Sequence, residues 1–87
     1  MSKLELTISH LKKLLKQLDY DDIHFVSYHP EKHIAYFDGM LDTHYRIMCC
    51  EQVDGSVEVH DTSMDVDNYV FIASGRFIKH KWVVEFM

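Results

Sequence analysis

The chain has 87 residues, 47% of them apolar and 13% aromatic, with a formal net charge of -5. That length suits a single domain, 1–87, and the apolar content excludes a disordered chain. The charge is unevenly spread: residues 19–67 hold twelve acidic residues against Lys32 and Arg46, while the flanking segments are net basic. Phosphate would repel the acidic block, so it argues against direct nucleic-acid binding and suits a basic protein surface instead.

Residues 1–18 alternate charge and leucine, without the continuous apolar core of a signal peptide. No run approaches the roughly 18 apolar residues of a membrane span. The two cysteines, Cys49 and Cys50, are adjacent, whereas small secreted domains carry separated cysteines as staples. The expectation is a cytoplasmic protein with reduced thiols.

In chain order, the first element is a helix. Leu4, Ile8, Leu11, Leu15 and Leu18 recur at helical spacing as one apolar stripe. Ser2 and Glu5 form a capping box, with Met1 and Leu6 placed to close a hydrophobic staple. Lys12, Lys13 and Lys16 lie toward the carbonyl end, where cations are favoured. The run Asp19-Tyr20-Asp21-Asp22 breaks the pattern.

From Asp22 the period becomes two. Ile23–His29 and His33–Phe37 read as strands joined by a Pro30-Glu31-Lys32 turn. A three-residue loop would set His29 opposite His33 and Phe25 opposite Phe37. It would place Val26 with Tyr36, Tyr28 with Ile34, and His24 with Asp38 on the other face. That face, bearing Tyr28 and Tyr36, is a candidate contact surface. Asp38-Gly39 reads as a turn or a bulge. Residues 43–53 form the next strand, and Asp54-Gly55 is a hairpin signal into Ser56–His60. Thr62 to Asn68 is polar and acidic, hence a loop.

Tyr69–Ala73 and Phe77–Phe86 follow, with Ser74-Gly75 as the turn between them. Residues 64–74 could also form a helix capped near Thr62. The bulky, β-branched Tyr-Val-Phe-Ile favours a strand. The expected fold is α+β: one N-terminal amphipathic helix packed on a five- or six-stranded antiparallel meander sheet.

There are seven histidines. A cross-strand His29–His33 pair would offer two ligands to a metal that takes four in a closed site. His24 points to the opposite face, so the plainer reading is a hairpin turn with histidine flanks, no metal and no cofactor. Cys49 and Cys50 alternate faces on a strand, and a disulfide between neighbours needs a strained ring. A Cys–His dyad with His60 lacks an evident group to lower the thiol pKa. No phosphate loop or dinucleotide fingerprint is present.

One helix followed by an acidic antiparallel meander resembles the small phage inhibitors of host enzymes, of the uracil-DNA glycosylase inhibitor type. The resemblance is in size, charge and order of elements; no motif matches, so no residue and no target carry over. The first expectation, from the charge distribution, is a non-enzymatic, protein-binding module that occludes the basic surface of a nucleic-acid enzyme or defence factor, in the manner of a DNA mimic. Asp19, Asp21, Asp22, Asp61, Asp65 and Asp67 would supply charge, and Tyr20, Tyr28 and Tyr36 would anchor the partner. Two other readings belong to different classes. One is a metal- or redox-responsive domain using His29, His33 and the cysteines. The other is a structural homodimer paired through the second sheet face.

Overall fold

The computed structural model describes residues 3–63 and 67–86, with side chains from Ile8 onward. The Ser2–Glu5 capping box, the Met1–Leu6 staple, Leu4 and Asp65 lie outside the described residues or side chains. One helix, α1 (Lys3–Gln17), precedes six strands: β1 (Asp21–His29), β2 (Ile34–Met40), β3 (His44–Glu51), β4 (Val57–Ser63), β5 (Val70–Ile78) and β6 (Lys81–Phe86). They form one antiparallel sheet in the order β1-β2-β3-β4-β5-β6, an uninterrupted meander. The fold is α+β with the larger of the two strand counts expected, and β5 settles residues 70–74 as strand.

The core forms between α1 and one face of the sheet. Leu11, Leu14, Leu15 and Leu18 are buried, while Lys12, Lys13 and Lys16 are exposed. Against the leucines lie Ala35, Phe37, Ile47, Cys49, Val57, Val59, Ala73 and Trp82. Each large side chain fully removed from water contributes about 1.5–3 kcal/mol. The helix is also tied by polar bonds. Trp82 Nε1 donates to the His10 carbonyl at 2.7 Å, and Gln17 Nε2 donates to the Trp82 carbonyl at 3.1 Å. Six strands span about 24 Å, and a helix with its side chains only about 10–12 Å. One helix therefore cannot cover even this face, and Phe25 on β1 stays partly exposed beside Phe37.

The helix ends in a Schellman close. Tyr20 N–H donates to the Leu15 carbonyl and Asp19 N–H to the Lys16 carbonyl, with Asp19 left-handed at φ 74°. This turn carries Tyr20 inward against the core, where it is 1% exposed.

Two glycines with the look of turn residues serve another purpose. Gly39 lies inside β2 and Gly75 inside β5. A Cβ on Gly39 would meet Ile47 Cδ1 at 2.9 Å and Tyr20 Cδ1 at 3.3 Å; on Gly75 it would meet Leu14 Cδ1 and Trp82 Cε3, both at 3.1 Å. The space above each is filled by core side chains. The chain reverses instead at Leu41–Thr43 and at Lys79-His80, the latter with both residues at positive φ (51° and 67°). That is the type I′ geometry that matches strand twist, built here without glycine. Phe77–Phe86 is consequently a hairpin and not one strand. The Asp54-Gly55 turn stands as expected, with Gly55 at φ 89°. Of the loop expected from Thr62 to Asn68, Thr62 and Ser63 belong instead to β4, and residues 64–66 lie outside the described residues.

Candidate partner-binding surface

In a meander, alternate connections share an end of the sheet. The start of β1 lies beside the end of β2, since Asp21 pairs with Met40. The β2–β3 turn adjoins it, and Tyr45 pairs with Ser63 at the end of β4. Three separate segments thus lie along one end of the sheet: Asp19, Asp21 and Asp22 from the helix exit, Asp42 from the β2–β3 turn, and Asp67 ahead of β5. All five are exposed. His24 Nε2 contacts Asp22 at 2.9 Å, and Tyr45 donates to Asp42 at 3.0 Å. Asp42 escapes the sequence reading because Asp38-Gly39 carries the stronger turn signal.

The opposite end has a different character. It holds Glu31 and Lys32, the Asp54 loop, and Lys79 with His80. Asp54 accepts bonds from the hydroxyl and the N–H of Ser56 and pairs with Arg76 at 2.6 Å. The Ser56 bonds, and then Arg76, hold its carboxyl down at about 2. The sheet is therefore electrostatically polar along its strands.

Two expected site residues leave the surface. Tyr20 is buried, and its hydroxyl donates to Asp61, itself only 9% exposed. Burial, and then the bond to Asp61, push the Tyr20 phenol far above its ordinary value. Neither residue is available to a partner. Asp61 faces inward because it continues the Val57, Val59 alternation.

The tyrosine pair expected on the second face is also divided. β1 carries irregularities between Asp21 and His24 and between Phe25 and Ser27. The first preserves the expected His24–Asp38 and Phe25–Phe37 pairs. At the second, Val26 is the extra residue, so Ser27 meets Tyr36, Tyr28 meets Ala35 and His29 meets Ile34. A bulge shifts every later side chain by one position. Tyr28 consequently packs on the helix side against the core, while Tyr36 stays on the uncovered face.

That uncovered face bears an aromatic band. Tyr36, Met48, His60 and Phe71 are successive cross-strand partners. His60 stacks on Phe71 at 5.0 Å, His29 meets Tyr36 edge-on at 5.4 Å, and Tyr69 lies 6.3 Å from Tyr36. The sequence marks Tyr69 only as a strand residue; its phenol is raised, chiefly by burial. Beside this band Arg46 pairs with Asp38 at 2.5 Å, and His60 Nε2 lies 3.2 Å from Glu58.

The bulge also separates the two candidate metal ligands. Four residues, Pro30 to His33, make the turn, and His33 sits in it at φ 54°. His33 Nδ1 turns to Glu51 at 3.3 Å, while His29 contacts Ser27. Among the described residues, no group of three or more His, Cys, Asp or Glu side chains could hold a metal ion. Cys49 is buried opposite Val59, and burial pushes its thiol far up; Cys50, on the other face opposite Glu58, is raised by burial and then by that carboxylate. Both shifts disfavour the nucleophilic thiolate. No helix among the described residues is long and apolar enough to cross a membrane.

Compared with protein-family models, curated proteins and solved structures, the chain matches none.

Proposed function

We propose that the chain is a non-enzymatic protein-binding module acting in the cytoplasm, which docks its acidic end on the basic surface of a partner. The observation that carries this reading is the placement of five exposed aspartates, Asp19, Asp21, Asp22, Asp42 and Asp67, drawn from three segments, along one end of the sheet. Among the described residues, no lysine or arginine contacts these five in an ion pair. A surface of one sign speeds encounter with the opposite sign and rejects like-charged partners. The partner class is a nucleic-acid enzyme or defence factor, because such proteins carry exposed basic surfaces for phosphate. Occlusion of that surface makes the module an inhibitor and a mimic of DNA charge. Tyr36 and Tyr69, on the adjoining uncovered face, are the aromatic anchors; Tyr20, Tyr28 and Asp61 take no part.

The test is association kinetics against a captured partner. Asp21→Lys with Asp22→Lys should slow association and flatten its dependence on salt, leaving the folded state intact. Unchanged association and salt-insensitive binding would remove the electrostatic mechanism. A homodimer is the second reading, and a separate observation favours it at a different place from the uncovered face.

A further inference from the structure

The sheet has two edges, and they differ. β1 is broken by two register irregularities, carries Asp22 at φ 52°, and exposes Asp21 and Asp22. Bulges and charges of this kind block the addition of another strand. β6 pairs with β5 without a break from Ile78–Lys81 to Ala73–Phe86. It has no proline or glycine, and Val83 is 53% and Phe86 69% exposed. Backbone groups of alternate residues point away from β5. The Trp82 carbonyl is one of these, since it takes its bond from the Gln17 side chain, and Val84 and Phe86 share its direction. The carbonyl has a second lone pair for another donor.

The β6 sequence is Lys81-Trp82-Val83-Val84-Glu85-Phe86. Laid antiparallel against itself about Val83, it is self-complementary. Lys81 falls opposite Glu85 of the second copy, Glu85 opposite its Lys81, and Val83 opposite Val83. On the other face Trp82 meets Val84. Directly opposed residues share a face, so both charge pairs and the valine pair lie on the sheet's uncovered side and the Trp82–Val84 pairs on the helix side. In this register the outward N–H and C=O groups of Trp82 bond those of Val84 in the second copy. The nearest other registers that keep the outward groups of Trp82, Val84 and Phe86 facing one another are two residues away, and both lose the Lys81–Glu85 matches.

We propose that β6 is a homodimerisation edge, at which a second copy of this chain adds its own β6 antiparallel about Val83 and continues the sheet across a two-fold axis. Such an interface is closed, because each copy's remaining edge is the bulged and acidic β1. Lys81 and Glu85 would thus oppose foreign strands of unmatched charge while favouring their own. The proposal is independent of the acidic end and would survive its failure.

Charge exchange tests it. Lys81 and Glu85 are exposed, so Lys81→Glu and Glu85→Lys leave the core untouched. By sedimentation over a concentration series, the wild type should form a dimer. Each single variant opposes like charges at two symmetry-related pairs and should weaken the dimer roughly tenfold or more. An equimolar mixture of the two variants should dimerise again, because the carboxylates of the Lys81→Glu chain then meet the ammonium groups of the Glu85→Lys chain at both pairs. The double exchange in one chain should also restore it. Val84→Pro, which removes an N–H directed away from β5, should abolish the dimer with circular dichroism unchanged. A wild type that stays monomeric at the highest concentration reached would overturn the proposal. So would single variants that dimerise as the wild type does, or a mixture that fails to recover.

Discussion

Replacing Tyr20 by phenylalanine deletes one oxygen from the centre of the molecule. The ring stays packed over Gly39, edge-on to Tyr45 at 6.3 Å, so the apolar contacts are conserved. What is lost is the hydrogen bond to Asp61, a carboxylate only 9% exposed. A bond to a charged group contributes about 1.5–3 kcal/mol, and leaving a buried acceptor without its donor sits toward the upper part of that range. Tyr20→Phe should therefore cost about 2 kcal/mol, or about 10 °C in Tm for a domain of this size. Denaturant titration and thermal melts would measure it. Tyr45→Phe is the control: its hydroxyl bonds exposed Asp42, and its loss should leave Tm nearly unchanged.

The bond also has a pH signature. The folded phenol is raised above its ordinary value of 10.0, by burial first and then by Asp61. Its contribution is complete below pH 10 and is lost as pH rises, because only the unfolded chain then ionises. Tyr20→Phe should remove that part of the alkaline decline, leaving the parts from the raised thiols of Cys49 and Cys50, which begin near pH 9, and from the raised phenols of Tyr45 and Tyr69. Equal stability of Tyr20→Phe and the wild type, at neutral and at alkaline pH, would refute the claim that this pair is desolvated and bonded.

Other outcomes follow from the backbone. Gly75→Ala places a Cβ against Leu14 and Trp82 at 3.1 Å, and should destabilise by about 1–3 kcal/mol in equilibrium unfolding. Lys79→Asn with His80→Gly supplies the residues that the positive-φ turn favours, and should stabilise by about 1 kcal/mol. Asp19→Gly at the left-handed helix close should act in the same direction, read as a higher denaturant midpoint.

The parts of the fold legible in the sequence are those with a period. The leucine stripe, the two-residue alternation and Asp54-Gly55 each follow from a local rule; the strands and the turn stand in the structure, and of the stripe Leu11, Leu15 and Leu18 are buried. The misread parts depend on neighbours distant in sequence. Gly39 and Gly75 look like turn glycines, but only Tyr20, Ile47, Leu14 and Trp82 reveal that they are spaces for core side chains. The bulge at Val26 leaves no compositional mark, yet it moves Tyr28 to the helix side and dissolves the His29–His33 pair. Lys79-His80 carries no turn signal because the structure adopts a conformation those residues disfavour. At the candidate site, the acidic composition is visible in the sequence, but the placement of three acidic segments at one end of the sheet is not. By composition Asp61 counts among the surface acids; strand alternation and the Tyr20 bond place it inside. Asp42 joins the site only once the β2–β3 turn is in its true position.

The most direct test of the central claim is capture from nuclease-treated lysate on immobilised wild-type chain and on the Asp21→Lys, Asp22→Lys variant, read by mass spectrometry at low and high salt. The expected result is one dominant nucleic-acid-handling protein held by the wild type, released by salt or by competing DNA, and absent from the variant. Identical proteins on both surfaces, or retention indifferent to salt and DNA, would contradict a module that docks through its acidic end.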